Sequence, residues 1–150
     1  METTVINKIN VTDNAALVTI LPPQKMPHLA YTVINNLAEN KIRLLMMGMV
    51  HSDGGITLAV SEDAIPKILK ITGAEKGILT AVYGENSKIS LLGANLDSPD
   101  FIVKNILDPL SEYNADVRII TVSPHEISLV MPSYKTAPFL SEITKFAHGI

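Results

Sequence analysis

Residues 13–40 read DNAALVTILPPQKMPHLAYTVINNLAEN, and this stretch decides the fold. Residues 15–21 are a β-favouring apolar run, stopped by Pro22-Pro23, because neither proline can donate to a sheet ladder. Beyond Pro27 the pattern changes period. Leu29, Val33, Ile34, Leu37 and Ala38 fall at helical spacing, with Pro27 suited to a helix start and Asn40 to a left-handed stop. The stretch is therefore a strand followed by a helix packed on it.

Working outward, residues 4–9 form a short β-favouring run closed by a turn at Asp13-Asn14. After the helix, residues 42–50 are apolar and of strand length, and Ser52-Asp53-Gly54-Gly55 reads as a hairpin loop before a returning strand over 56–60. Ser61-Glu62-Asp63 can cap a short helix carrying Ile65, Ile68, Leu69 and Ile71, in which Pro66 is tolerable only in the first turn and which Gly73 ends. Residues 77–83 form another strand. The order then recurs: a strand over 88–92, a helix with Phe101, Ile102, Ile106, Leu107 and Leu110 on one face, strands over 116–122 and 126–131, and a helix over 136–146. Pro109 should kink or end the second long helix, since an interior proline costs roughly 3 kcal/mol.

One module thus appears twice, about seventy residues apart on the spacing of its elements. The second copy lacks a final strand, and the chain begins with a spare one. The expectation is two βαββαβ modules of α+β class, residues 1–86 and 87–150, interlocked by strand 4–9.

Composition limits the chemistry. Of 150 residues 47% are hydrophobic, ample for a core, and the net charge of −3 arises from scattered groups with no basic run to bind nucleic acid. No cysteine is present, which excludes disulfides, thiolate nucleophiles and cysteine-based zinc sites. Residues 1–4 lack the start of a signal peptide, and the longest apolar run is too short for a bilayer, so a cytoplasmic protein that does not span a membrane is expected. No phosphate-binding glycine loop or nucleophile elbow is found. His28, His51, His125 and His148 show no metal-ligand spacing, and the carboxylates of Glu62-Asp63 and Asp97/Asp100 sit at helix starts, where the helix dipole accounts for them. Neither metal, cofactor nor catalytic residue is expected. The methionine cluster 44–49 reads most simply as a strand buried on both faces; its functional reading is an adaptable apolar face for dimerisation or ligand contact.

The ordered segments resemble the tandem ACT domains of the aspartokinase regulatory region. The likeness runs through DNAALVTI (13–20), LAENKI (37–42) and GITLAV (55–60) in the first copy, and through ISLLGA (89–94), VRIITVS (117–123) and ISLV (127–130) in the second. It implies ferredoxin-like modules, a homodimer formed through side-by-side sheets, and an amino-acid effector, lysine or threonine, bound at ACT–ACT interfaces. It also implies a kinase or other catalytic chain as partner, since no phosphate-handling domain is on this chain. On this resemblance the effector loops are Gln24, Lys25, Met26, Pro27, His28 and Leu29 with Met49 and Val50, and Asp97 and Ser98 with Ser123.

The chain departs from the family pattern at these loops. Gln24 or Lys25 stands at the acidic position, His28 and Phe101 stand at the glycines, Met49-Val50 replaces a Gln-Asn pair, and Ser123-Pro124 replaces Ser-Glu. The expected function is a non-catalytic amino-acid sensor whose usual lysine or threonine site is altered. The alternative is a dimerisation or protein-interaction module that has lost its ligand.

Overall fold

The computed structural model describes residues 3–24, 26–49, 54–74 and 76–147. The chain forms two compact units, residues 14–85 and residues 1–13 with 86–150. Two long strands, β1 (Val5–Leu21) and β4 (Leu79–Ala94), run through both.

Sequence patterning breaks each of these strands in two, but both are continuous. The chain passes between units at Asn14 (φ 55°) and Glu85 (φ 60°), both left-handed. One left-handed residue bends a strand without ending it, and Asn tolerates that conformation because its short polar side chain bonds locally.

In the 14–85 unit the elements are the second part of β1, α1 (Leu29–Glu39), β2 (Leu44–Met49), β3 (Ile56–Ser61), α2 (Ile65–Gly73) and the first part of β4. The strand order is β2-β3-β1-β4. β1 and β3 are antiparallel, with Val18 opposite Leu58 and Ile20 opposite Ile56. Alternation sends Ala16, Val18 and Ile20 of β1 and Ile56, Leu58 and Val60 of β3 into one core, against Leu29, Val33 and Leu37 of α1 and Ile68 of α2. Pro66 lies in the first turn of α2, where its missing N–H costs nothing.

Two local expectations are corrected here. Asn40 caps α1 with φ −90°, and the left-handed residue is the next one, Lys41; the Ile42 N–H then closes on the Leu37 carbonyl at 2.9 Å. The methionine-rich segment is not buried on both faces. β2 is an edge strand with none of its six residues buried, Met47 and Met49 being 43% and 55% exposed. An apolar run records that a strand is covered somewhere, whereas edge position is set by the order of pairing.

The other unit repeats the pattern. The second part of β4 leads into α3, residues 99–112, then β5 (Ile119–Val122), β6 (Glu126–Pro132) and α4 (Thr136–Thr144). The place of a final strand is taken by the start of β1, giving the order β1-β4-β6-β5. Ile6, 1% exposed, belongs to this core with Ile89, Leu91, Ile127, Leu129 and Phe139, and also bridges in parallel to Ala147.

Proline 109 neither ends nor sharply breaks α3. The preceding stretch Ile102–Leu107 widens into a π-helix, and Pro109 enters the first turn of the segment Asp108–Glu112. The widened turn advances the phase, so Ile106 and Leu110 are buried while Leu107, expected on the same face, is exposed. The 14–85 unit is thus a ferredoxin-like βαββαβ fold, and the other has the same strand order with its last strand supplied from the start of the chain.

Candidate functional site

The first expected loop follows β1. Gln24, Pro27 and His28 are exposed, Met26 is half-buried against the core, and Leu29 is buried as the first core residue of α1. Lys25 and Val50, with the hairpin loop 51–53, lie outside the described residues. The helix begins without a side-chain cap: His28 offers only its backbone, its carbonyl taking the Thr32 N–H at 2.9 Å, and no acidic residue lies in the first turn. The Leu29 N–H donates to the Met26 carbonyl at 3.0 Å, and a helix N-terminus of this kind favours a carboxylate. Among the described residues no hydrogen bond joins this loop to Met49 at the end of β2.

The second loop is better assembled. Leu96, buried, donates its N–H to the Pro124 carbonyl at 3.0 Å, and Gly93 donates to the His125 carbonyl at 3.0 Å. These bonds hold the Asn95–Ser98 loop beside the turn that carries Ser123. Both hydroxyls there act locally. Ser98 Oγ accepts from the Phe101 N–H at 3.4 Å, capping α3, and Ser123 Oγ accepts from the Glu126 N–H at 3.1 Å, closing the turn. Asp97 is exposed and, among the described residues, in no ion pair, so this loop keeps a carboxylate that can face an ammonium. Asp97 and Ser98 thus follow Leu96 on a loop whose backbone is bonded to the turn that carries Ser123.

Four cavities formed by described residues lie elsewhere. The largest, about 570 Å³, runs between α1 and α2 and is lined by Thr32, Asn36, Asn40, Lys67, Lys70, Ile71 and Ala74. One of about 320 Å³ adjoins it through Asn40 and Lys67, and one of about 360 Å³ lies over Tyr31 and Ile34 on the outer side of α1. The fourth, about 410 Å³, sits between α3 and β5 around Leu110 and Ala115. No residue of the expected loops lines any of them. The sequence carried a trace of the largest: Thr32, Asn36 and Asn40 form a polar stripe at i, i+4, i+8, beside the apolar stripe of α1.

Among the described residues no three of His, Asp and Glu are placed to hold a metal ion, and no helix is long and apolar enough to cross a membrane.

No family model and no curated protein sequence matches the chain. Solved structures do. The regulatory subunit of aspartate kinase from Thermus flavus is 19% identical with a TM-score of 0.77, over 94% of this chain and 97% of that one. The corresponding subunit from Thermus thermophilus, in ligand-free form, is 18% identical with a TM-score of 0.78, over 96% of this chain and 99% of that one. Aspartate kinase from Clostridium acetobutylicum is 13% identical with a TM-score of 0.81, over 94% of this chain but 34% of that one. The chain therefore has the tandem ACT-type fold of aspartate kinase regulatory subunits, and resembles them along nearly their whole length.

Proposed function

We propose that the chain is a non-catalytic regulatory protein that senses an amino acid and acts on a separate catalytic chain, an aspartate kinase on the strength of the fold. The observation that carries this reading is the double coverage: nearly all of this chain aligns with nearly all of a regulatory subunit of aspartate kinase. The loop of Asp97 and Ser98, bonded to the turn of Ser123, supports a site for an effector's ammonium, and the uncapped start of α1 supports one for a carboxylate. In the first loop Gln24 or Lys25 stands where the resemblance places an acid. Lysine and threonine therefore bind more weakly than about 1 mM, and a different effector is the ligand.

The exposed edge strand β2, with Met47 and Met49, supports a homodimer formed by edge pairing. It also supports the second reading, an interaction module without a small ligand. A thermal-shift screen against the twenty amino acids separates the two, because a ligand bound only to folded protein raises the melting temperature with occupancy. The sensing reading expects one amino acid to raise it and Asp97→Asn to abolish the rise. No response to any of them leaves the interaction module. Sedimentation at micromolar concentration giving the mass of a single chain would sink the homodimer.

A further inference from the structure

The charge of the 14–85 unit is unevenly placed. Its described lysines and arginines are Lys41, Arg43, Lys67, Lys70 and Lys76, and the first four line the two adjoining cavities beside α2. Among the described residues the only carboxylate lining either is Asp63, in the smaller cavity, where it accepts the Ser61 hydroxyl at 2.5 Å. Among the described residues the larger groove has none. Lys67 and Lys70, three residues apart, lie on the same side of α2 and repel one another. The helix dipole favours Lys70, in the last turn, but disfavours Lys67, the third residue of the helix. Helix electrostatics alone do not account for Lys67.

The other unit provides a control within the same chain. Its helix pair has the same framework: Leu110 accepts from Ala115 as Leu37 does from Ile42, and Phe139 and Ile143 are buried at the spacing of Ile68 and Thr72. At the positions matching Asn40, Ile71 and Ala74 stand Tyr113, Glu142 and Lys145. These engage each other, Tyr113 Oη with Glu142 Oε1 at 3.4 Å and Lys145 Nζ with the same oxygen at 3.1 Å. That helix pair is stitched by its own side chains. The α1–α2 pair instead keeps an open, cationic groove. Asn36 and Asn40 each spend their amide N–H on a backbone carbonyl, of Thr32 and Asn36 at 2.8 Å, which leaves the amide oxygens as acceptors.

We propose that the α1–α2 groove binds a small phosphorylated polyol, its phosphoryl group between Lys67 and Lys70 and its hydroxyls on the amide oxygens of Asn36 and Asn40. A volume of about 570 Å³ suits a sugar-phosphate-sized ligand. The reading is independent of amino-acid sensing at the loops. The test is a titration of the full chain with ribose 5-phosphate, ribose, inorganic phosphate and a poly-glutamate peptide at constant ionic strength, followed by amide ¹H–¹⁵N shifts. Ribose 5-phosphate is expected to shift residues of α1 and α2 saturably, inorganic phosphate more weakly and ribose not at all. Lys67→Gln and Lys70→Gln should each weaken binding about tenfold, as expected for losing one charge-assisted contact, while Lys104→Gln, on α3, changes nothing. Absence of saturable shifts, shifts unaltered by either α2 variant, or saturation by the peptide but not by ribose 5-phosphate would overturn the proposal. Circular dichroism of each variant identifies any that fails to fold, and the remaining one then decides.

Discussion

Single residues do their clearest work where backbones approach. Gly93 of β4 faces the start of β1, and a methyl group at its α-carbon would run into the carbonyl oxygen of Val5. A backbone carbonyl held in a sheet cannot swing aside as a flexible side chain could, so the two strands must separate or β4 must shift. Gly93→Ala is expected to cost about 1–3 kcal/mol, the range for forcing extra volume into a packed site. Gly48 of β2, with nothing within 4 Å of the same position, provides the contrast. Gly48→Ala should stay within about 0.5 kcal/mol of the parent. Urea unfolding of the three proteins measures both; equal stability of Gly93→Ala and the parent would show that the strands do not meet at this point. The sequence offers a glycine at the end of a β-favouring run and no sign of its neighbour, because the neighbour comes from the far end of the chain.

At the scale of elements, α3 and α4 are joined by a contact that can be titrated. The Tyr113 hydroxyl is held above the usual tyrosine value, first by loss of hydration, then by the charges of Glu142 and Glu112 and the hydrogen bond to Glu142, with Lys145 opposing. A raised folded pKa means that the neutral phenol is the form the fold prefers. The associated stability is fully present below the unfolded value of about 10 and is lost as pH rises through the folded value. Ultraviolet titration should show a phase above the range of free tyrosine that Tyr113→Phe removes and Glu142→Gln moves down. A phase unmoved by Glu142→Gln would rule the contact out. The elements themselves were largely legible. Alternation in 15–21 and 56–60 and the i, i+4 spacing of Leu29, Val33 and Leu37 follow directly from burying one face. The phase of α3 was not, since a proline announces a disturbance without saying whether the helix kinks, ends or widens. Nor was the edge position of β2, which depends on pairings outside the segment. The second loop was legible because its Asp-Ser-Pro cap is local, whereas the groove between α1 and α2 needs two helices brought together.

At the scale of the whole molecule, the first thirteen residues matter more than their position suggests. They form a compact unit with residues 86–150, occupying the place of the strand that unit otherwise lacks. Ile6 is in its core, and Thr4 Oγ1 and the Asn95 amide tie the strand's start by bonds of 2.9 Å to the Asn95 carbonyl and 3.0 Å to the Thr3 carbonyl. Ser87 Oγ donates to Asp13 at 2.6 Å at the other end of the segment. Removing residues 1–13 would strip one strand from a four-stranded sheet and take Ile6 out of the core it shares with Ile89 and Leu91. Burial of Ile6 alone contributes on the order of 1.5–3 kcal/mol, against a typical domain stability of about 5–15 kcal/mol. The 14–85 unit contains its own strands and core and loses none of them. A chain lacking residues 1–13 is therefore expected to lose amide protection throughout 86–147 while keeping it on α1, β3 and α2. Adding a synthetic peptide of residues 1–13 in excess should restore part of it, because the missing strand is supplied by mass action. Uniform loss across both units would mean that they fold only together, and uniform retention would mean that the first strand contributes nothing to the core in which Ile6 lies.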